Sequence, residues 1–334
     1  YHYILFIMEI GSDYNLNIKF DSNNLFYATG RIAIKKILKK INKNNEKCLI
    51  PNYLCDSIYN CFDNFDYYKI NNNFDIDIEY LTSIITKNNY KLIFIINYFG
   101  YIDKNIEFIS KLCKKNNILV IEDFTHNIYS EKFYGDISIC SYRKSLPTPF
   151  GAIVIDTNNI LNINKKKSIN FIYIFLIILK LIGMFLKNYF NIKWIWRPIL
   201  LFCEENIDKI NYSDFDYLNN LFYKYYYDQD DKYIRIKNFK YLQNKLKIKT
   251  LDKFANTYFC FPILFDNKEE RDKIKNILIK NKIYCPIYWP LNFDKDKECN
   301  HYITNHILCI PIDQRYNIEN MKYIANIINE HLCI

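Results

Sequence analysis

The stretch KLIFIINYFGYIDKNIEFISKLCKKNNILVIEDF, residues 91–124, decides the fold of this chain. It opens with an apolar run that ends at Gly100, continues with the amphipathic segment NIEFISKLCKKNN, and closes with a second apolar run that ends in Glu122 and Asp123. Two short apolar runs joined by a helical pattern indicate parallel strands connected by a crossover helix. The same alternation extends over residues 24–155.

We therefore predict an α/β fold with a mostly parallel sheet between two layers of helices. Further strands are predicted at KCLIPNYL, YYKIN, DISICSY and GAIVID, and further helices at RIAIKKILKKI, SIYNCFDNF and IDIEYLTSIITK. From residue 228 a smaller α/β region is predicted, with helices at RIKNFKYLQNKL, KEERDKIKNILIKNK and NIENMKYIANIINEHL and strands at TYFCFPILF, IYCPIYWP and HILCIPID.

Residues 163–200 do not fit this alternation, because they contain the apolar run FIYIFLIILKLIGMFL. A membrane-spanning helix needs about 20 apolar residues, and Lys180 would cost about 2.5 to 3.5 kcal/mol near the centre of one. We predict a helix packed in the core or at a dimer contact. The alternative is a helix in a membrane interface, which Trp194, Trp196 and the flanking lysines suit.

Composition limits the classes of function. The chain has 334 residues, of which half are hydrophobic, so it is globular. Its net charge is +9, but no basic run alternates with aromatic residues, and we predict no nucleic-acid binding. The 11 cysteines lack metal-site or disulfide spacing, which favours buried thiols in the cytoplasm and no metal site. The segment Tyr1–Ile7 makes a poor signal peptide and could precede a true start at Met8.

Three local patterns predict a site at one edge of the sheet. In ATGRIAI a helix starts at Gly30, and its free N–H groups can bind a phosphate. In IEDFTH, Asp123 ends a buried strand and needs a cation, such as a protonated pyridine nitrogen, with His126 close by. A strand-end Asp that caps the next turn is the simpler alternative.

The third pattern is SYRKSLPTPFGAIV, residues 141–154. Lys144 follows a strand on a tight loop, where desolvation near a buried carboxylate would make its amine a nucleophile toward an aldehyde. Ser141 can donate to a phosphate, and Arg143 can bind a phosphate or a substrate. Asn97 and Tyr98, at the end of the strand before Gly100, are predicted to face the same cleft.

Together these pieces resemble the DegT-type sugar aminotransferases, a family that uses pyridoxal 5'-phosphate (PLP) and has the aspartate-aminotransferase fold, called fold type I. The resemblance runs in family order across nearly the whole chain and is weakest in 163–200. The matching pieces are IGSDYN, ATGRIAI, CLIPNYLCDSI, NYFGY, ILVIEDFTHN, YGDISICSYRKSLPTPFGA, RIKNFKYL, IYCPIYWPL and CIPIDQRYN.

The resemblance implies a three-layer α/β/α large domain over residues 21–227, with 163–200 as a helical insertion. A small domain would cover 228–334, and residues 1–20 would pack on it. It also implies a homodimer with the cofactor at the domain and subunit interface.

The resemblance further implies roles for individual residues. Lys144 would be the Schiff-base lysine, Asp123 the partner of the pyridine nitrogen, and His126 the contact to the phenolic oxygen. The phosphate site would comprise Gly30, Arg31 and Ser141. The aromatic residue that stacks on the cofactor in many members aligns with Cys55, for which Tyr53 is the candidate substitute, and the candidate substrate residues are Asn97, Tyr98, Arg143 and Arg315.

The implied reaction moves an amino group from an amino acid, glutamate being the expected donor, to a nucleotide-linked keto-sugar in surface-glycan or secondary-metabolite biosynthesis. Two alternatives remain open. Another PLP reaction is disfavoured because the family's dehydratases lack the lysine. An inactive member of the fold could instead attach to membrane-bound glycan synthesis through residues 171–196, and the Gly151-Ala152 pair in place of the family's Gly-Gly leaves room for it.

Overall fold

The structure, a computed structural model, describes residues 24–163, 170–190, 192–210, 217–248, 250–251, 253, 255–290 and 300–332. The predicted N-terminal segment, residues 1–20, lies outside the described residues, as do Tyr1–Ile7 within it.

A seven-stranded sheet occupies the first half of the chain, with the strand order β1-β7-β6-β5-β4-β2-β3. The strands from β6 to β3 are parallel, whereas β7 is antiparallel to both β6 and β1. The predicted α/β class with a mostly parallel sheet is therefore confirmed. The strands are β1 (Asn24–Tyr27), β2 (Cys48–Pro51), β3 (Phe65–Tyr68), β4 (Leu92–Ile96), β5 (Leu119–Asp123), β6 (Ile137–Cys140) and β7 (Ala152–Ile155).

Amphipathic helices connect these strands and cover the sheet. Their apolar positions recur with helical spacing, so that one face of each packs on the strands. Side chains of Thr29 and Asp77 cap two of them by accepting backbone N–H groups three residues further on. The helices are α1 (Gly30–Ile41), α2 (Asp56–Tyr59), α3 (Ile78–Lys87), α4 (Ile106–Lys115) and, after the insertion, α7 (Tyr217–Tyr226).

Two predicted elements are displaced near β3. The helix predicted at SIYNCFDNF ends at Tyr59, and the strand predicted at YYKIN is instead Phe65–Tyr68. The cause is tertiary, since Phe65 pairs with Cys48 and Tyr68 with Pro51 in the parallel ladder between β2 and β3. Strand pairing thus overrides the local helical pattern.

The second half of the chain contains a two-stranded antiparallel sheet of β8 (Cys260–Leu264) and β9 (Ile307–Pro311). The strand predicted at IYCPIYWP is wrong. The N–H of Cys309 donates to the Pro286 carbonyl at 3.0 Å, but Pro286 and Pro290 have no N–H with which to continue a ladder. The helices here are α8 (Asp231–Lys245), α9 (Lys268–Lys280), α10 (His301–His306) and α11 (Ile318–His331).

The cysteines predicted to be small buried hydrophobic residues are buried and free: Cys48, Cys113, Cys140, Cys260 and Cys309. Burial raises the pKa of Cys48 to about 11 and that of Cys113 to about 12. These thiols therefore stay protonated near neutral pH, as expected of packing residues.

The apolar run forms the helix α5 (Phe171–Tyr189), which packs against α6 (Lys193–Ile207) as a helical hairpin. Among the described residues, α5 is the one helix long and apolar enough to cross a membrane by length and composition. Only 28% of its apolar window is buried. Of the two placements predicted for this helix, packing in the core is wrong, because Phe171, Phe175 and Phe185 point outward, and contact with a second subunit stays a prediction.

Two of the six glycines lie where the backbone conformation favours glycine. Gly100 has φ +100°, and a Cβ there would lie 2.3 Å from the Thr257 carbonyl oxygen. Gly151 has φ +141°, and a Cβ would lie 2.0 Å from Cζ of Tyr142. Both conformations disfavour any other residue, so these loops at the carboxyl end of the sheet depend on glycine.

We expect Gly151→Ala to lower the free energy of unfolding by about 2 kcal/mol or more, because it combines a left-handed backbone with a clash against a buried ring. Gly183→Ala is the control. It lies in the regular helix α5, where no left-handed backbone is required, and its Cβ would lie 2.8 Å from Cδ2 of Leu200 and 3.1 Å from Cγ2 of Ile199, so we expect a smaller loss than for Gly151→Ala. Urea unfolding of both variants measures the difference, and equal stabilities would contradict the prediction.

Candidate active site

A cavity of about 150 Å³ lies where the carboxyl ends of β5 and β6 meet the start of α1. Six residues that were predicted from the sequence to belong to a site line this cavity, and they come from three separate segments of the chain. The complete lining is Thr29, Gly30, Arg31, Ile34, Ser57, Ile58, Asp123, Thr125, Ile139, Ser141, Arg143 and Lys144.

Asp123 is the last residue of β5 and is only 7% exposed. Its Oδ1 accepts the N–H of Thr125 at 2.9 Å. Burial raises the pKa of its carboxyl group above the ordinary value, and the positive charge of Lys144 offsets part of this rise. A carboxylate in this position is stabilised by a cation nearby.

Glu122 points to the opposite face of the sheet, as alternation along a strand requires. Its Oε2 accepts the N–H groups of Tyr134 and Gly135 at 2.6 and 2.9 Å, and its Oε1 accepts the amide of Asn97 at 2.8 Å. A Cβ on Gly135 would lie 2.8 Å from Cβ of Glu122. Glu122 therefore has a structural role in fixing the loop before β6.

Lys144 ends a short 3₁₀ turn, residues 142–144, directly after β6. Its side chain is exposed at the mouth of the cavity, so the predicted desolvation of this amine does not occur in the single chain. Within the described part of the chain it forms no ion pair with Asp123, although its charge acts on both Asp123 and His126. Lys144 and Asp123 thus line the same cavity but form no ion pair across it.

The loop that carries Lys144 is held from the second half of the chain. The carbonyl of Ser145 accepts hydrogen bonds from Nε2 of Gln314 at 2.9 Å and from the guanidinium of Arg235 at 3.5 Å. Arg235 is fully buried and also donates to Gln314 Oε1 at 2.6 Å. These two residues were not predicted as part of the site, but their motifs RIKNFKYL and CIPIDQRYN carry the family resemblance.

The opposite wall suits an anion. The first N–H groups of α1, at Gly30 and Arg31, have no intrahelical acceptor. A Cβ on Gly30 would lie 3.3 Å from Cβ of Ser141, so the glycine lets the helix start approach the loop after β6. The N–H of Ser141 donates to Oγ1 of Thr125 at 2.9 Å, which orients this serine.

Both arginines of the cavity are paired with carboxylates of one helix, α6 and its C-cap. Arg31 contacts Asp208 at 2.8 Å, and Arg143 contacts Glu204 at 2.7 Å. Oε1 of Glu204 also accepts a hydrogen bond from Lys180 on α5. Nothing in the sequence pattern predicted these pairs, which join two residues of the cavity lining to α6 and its C-cap.

The charges of Arg143, Lys180 and Glu204 affect the pKa values of Glu204 and Lys180. Burial tends to raise the pKa of Glu204, but Arg143 and Lys180 bring it below the ordinary value. Burial lowers the pKa of Lys180, and Arg143 lowers it further, while Glu204 opposes the shift. Nε of Arg143 is buried without a hydrogen-bond partner among the described residues.

His126 is buried, and its ring lies nearly parallel to that of Phe259, with centroids 4.1 Å apart. Its Nδ1 accepts the N–H of Phe99 at 3.2 Å, which places the ring proton of the neutral form on Nε2. Burial, followed by the charge of Lys144, lowers its pKa well below the ordinary value, so the ring is neutral. Nε2 is buried without a partner in the described chain.

Other predicted site residues are not brought to the cavity. Asn97 binds Glu122 on the opposite face, and the hydroxyl of Tyr98 donates to the Tyr53 carbonyl. Arg315 is exposed and paired with Asp313 at 2.6 Å. The prediction that Asn97 and Tyr98 face the cleft is wrong because the chain turns away after β4, into a tight turn ending at Gly100.

Neither candidate for stacking on the cofactor lines the cavity. The ring of Tyr53 is fully buried and packs against Trp289 and Tyr98, with centroids 5.1 and 5.6 Å away. Cys55 is the N-cap of α2, and its Sγ lies 3.1 Å from Oγ of Ser57. Ser57 and Ile58 occupy that wall instead.

A larger cavity of about 1040 Å³ contains none of the predicted site residues. It lies between the segment around Asn72 and the second half of the chain, with Lys247 and Glu270 in its lining. Volume alone therefore does not locate the site. The smaller cavity combines the buried carboxylate, the amine and the helix N-terminus.

The residues of the smaller cavity fit the chemistry of PLP. The helix start beside Gly30 and Ser141 fits a phosphate, and the buried Asp123 fits a protonated ring nitrogen. His126 is not part of the cavity lining, but its buried Nε2–H, which has no partner among the described residues, fits an oxygen acceptor. A volume of about 150 Å³ is below that of usual ligand sites. Part of the ligand would therefore lie at the open mouth beside Lys144.

We expect Asp123→Asn to unfold at a higher urea concentration than the wild type at pH 7.5. The folded-state pKa of Asp123 is raised above its unfolded value, so the wild type loses stability as the pH rises through that interval. Below the ordinary pKa of an aspartate, Asp123 is protonated in both the folded and the unfolded protein, so the difference in stability between the wild type and the variant should vanish. Asp63→Asn, at an exposed position, is the control, and a variant less stable at pH 7.5 would contradict the prediction.

Comparison with known proteins gives one family match. Residues 68–143 match the DegT/DnrJ/EryC1/StrS aminotransferase family. The match includes β4, β5, Asp123, His126 and Ser141 and ends directly before Lys144. No curated protein matches the chain significantly.

Solved structures share the fold at low sequence identity. A DegT/DnrJ/EryC1/StrS aminotransferase from Brucella abortus is 14% identical, with a TM-score of 0.61 over 92% of this chain and 86% of that one. PseC of Helicobacter pylori, an aminotransferase involved in the biosynthesis of pseudoaminic acid, is 15% identical, with a TM-score of 0.60 over 92% and 86%. NtdA of Bacillus subtilis, solved with bound cofactor PMP, is 18% identical, with a TM-score of 0.58 over 91% and 73%.

The matching family and the structures from Brucella abortus and Helicobacter pylori are aminotransferases, NtdA was solved with bound PMP, and the family uses PLP, so the cofactor prediction is confirmed at the level of the family. The resemblance drawn from the sequence is confirmed as well: over residues 68–143 this chain carries the signature of the DegT/DnrJ/EryC1/StrS aminotransferase family, on the fold of the PLP aminotransferases of fold type I.

Proposed function

We propose that this protein is a PLP-dependent aminotransferase that moves an amino group from an amino acid, glutamate, to a nucleotide-linked keto-sugar. The observation that carries the proposal is the shared cavity of Lys144, Asp123, Gly30 and Ser141. An amine, a buried carboxylate and an anion-binding helix start in one space are the protein groups that this chemistry needs. When bound, the cofactor supplies an electron sink for bond breaking at the α-carbon of the donor.

Each side chain has a defined task in this proposal. The amine of Lys144 would hold the aldehyde carbon of the cofactor at rest and, once displaced, carry a proton to and from the α-carbon of the donor. Exposure at the cavity mouth gives it access to substrate. The carboxylate of Asp123 would keep the ring nitrogen protonated, and its burial makes that interaction strong.

The phosphate would bind at the first turn of α1, with Ser141 and the guanidinium of Arg31. Arg31 would share its N–H groups between the phosphate and Asp208. Nε2–H of His126 would donate to the phenolic oxygen, since Nδ1 already accepts from Phe99. Arg143, at the rim beside Lys144, is the candidate for binding an anionic group of a substrate.

The substrate class rests on the comparisons. PseC acts in the biosynthesis of pseudoaminic acid, and the sequence resemblance extends to sugar aminotransferases in general. We propose the same class of acceptor here, in surface-glycan or secondary-metabolite biosynthesis. The net charge of +9 suits a substrate that carries a diphosphate.

We further propose a cytoplasmic homodimer with the large PLP-binding domain over residues 21–227 and the small domain over 228–334. The open mouth beside Lys144 supports a dimer, because a second subunit could close it. The peripheral membrane contact predicted through residues 171–196 is a separate proposal and does not depend on the chemistry.

A second candidate function is an inactive member of the fold that interacts with glycan synthesis at a membrane. The observation that favours it is the pairing of both cavity arginines with Glu204 and Asp208, which leaves less positive charge for an incoming anion. The ring of Tyr53 is also buried outside the cavity lining. Failure of the purified protein to bind PLP would favour this candidate.

We expect the protein purified with PLP to absorb visible light and to lose this absorbance with glutamate while forming 2-oxoglutarate. Lys144→Ala should lose both the absorbance and turnover, because no covalent link to the cofactor can form. Lys114→Ala, an exposed position on α4, is the control and should match the wild type. Unchanged absorbance and activity in Lys144→Ala would refute the assignment of the lysine.

A further inference from the structure

The hairpin of α5 and α6 presents an uncharged apolar stripe to solvent. Its residues recur every three or four positions along α5 and cover about 21 Å at 1.5 Å per residue. Between Phe171 and Leu186 the one charged residue is Lys180, and it is buried on the other face. The stripe consists of Phe171, Phe175, Ile178, Ile182 and Phe185, all exposed.

The opposite face of the hairpin is fixed to the protein by specific contacts. Lys180 is paired with Glu204, and the hydroxyl of Tyr173 accepts the amide of Asn219 at 2.6 Å. A Cβ on Gly183 would lie 2.8 Å from Leu200, so the two helices approach closely. A transmembrane orientation of α5 would break these contacts, whereas a helix lying along a surface keeps them.

Charge and aromatic residues concentrate at the turn of the hairpin. Lys187, Lys193 and Arg197 are exposed there. Trp194 is 77% exposed and Tyr189 is 72% exposed. Basic residues beside an apolar stripe complement anionic headgroups, and Trp and Tyr prefer the boundary between headgroups and acyl chains. The centres of protein interfaces are instead depleted of lysine.

We propose that the hairpin binds the surface of an anionic lipid bilayer, with α5 parallel to the surface and its stripe at the acyl boundary. The inner face of the hairpin then remains on the protein, where Glu204 contacts Arg143 at the cavity. Since a helix is about 10 Å across, the cavity would lie roughly one helix diameter from the lipid. The proposal concerns a surface outside the cavity and holds whether or not the chain transaminates.

Flotation of the full-length protein with lipid vesicles tests the proposal. The vesicles are phosphatidylcholine alone, or phosphatidylcholine with about one third phosphatidylglycerol. The wild type should float with the anionic vesicles, and Phe175→Asp/Ile182→Asp should bind at least about tenfold more weakly. The control, Phe108→Asp/Tyr323→Asp, adds the same charge at exposed apolar positions of α4 and α11 and should bind like the wild type.

A second pair of variants tests the charge. Lys187→Glu/Lys193→Glu should weaken binding by at least about fivefold for each lysine replaced, because each change removes a positive charge and adds a negative one. Lys237→Glu/Lys240→Glu, with the same charge change on α8, should have a smaller effect. Circular dichroism confirms that each variant is folded. Lack of binding to either vesicle, or equal binding of the stripe variant and its control, would overturn the proposal.

Light scattering separates lipid from a second copy of the chain as the occupant. If the stripe variant is a monomer while its control remains a dimer, the stripe is a subunit interface and the proposal is overturned. If both have the oligomeric state of the wild type and only the stripe variant loses vesicle binding, the proposal is supported.

Discussion

The structure of the site depends on one constraint, the burial of the carboxylate of Asp123 at the end of a central strand. Nothing on β5 itself neutralises that charge, because the strand is otherwise apolar up to Glu122, which faces the other way. The positive charge must come from elsewhere in the fold. The loop after β6 brings Lys144 toward it, and the second half of the chain holds that loop by the Ser145 carbonyl. The free-energy cost of burying this carboxylate is thus reduced by a positive charge from another segment of the chain.

Burial and close packing also determine the properties of the groups beside Asp123. His126 follows Asp123 by three residues and is neutral because it is buried and lies near the amine. The start of α1 reaches the site because Gly30 has no side chain to separate it from Ser141. Each of these features adds polarity to a space between apolar layers, where electrostatic interactions are stronger than in water.

Much of this arrangement could be predicted from the sequence because it follows from periodicity and strand ends. The strands around 91–123 and the positions of Asp123, Lys144 and Ser141 depend on local patterns. The position of Asn97 could not be predicted, because it depends on where the chain turns after the strand. The arginine pairs with Glu204 and Asp208 join residues more than 60 positions apart, and no local pattern indicates them. Pro286 and Pro290 argue against a strand in IYCPIYWP, because proline cannot donate a hydrogen bond to a strand ladder.

The bridging position of Glu204 has a consequence for the evolution of this chain. One oxygen of that carboxylate accepts hydrogen bonds from both Arg143 and Lys180, so a lineage that lost the hairpin, and with it Lys180 and Glu204, would leave the guanidinium of Arg143 without this carboxylate. Loss of the hairpin would have to be accompanied by replacement of Arg143 at the rim of the cavity. The hairpin therefore interacts with the rim of the cavity, and we expect its presence and the identity of residue 143 to be inherited together.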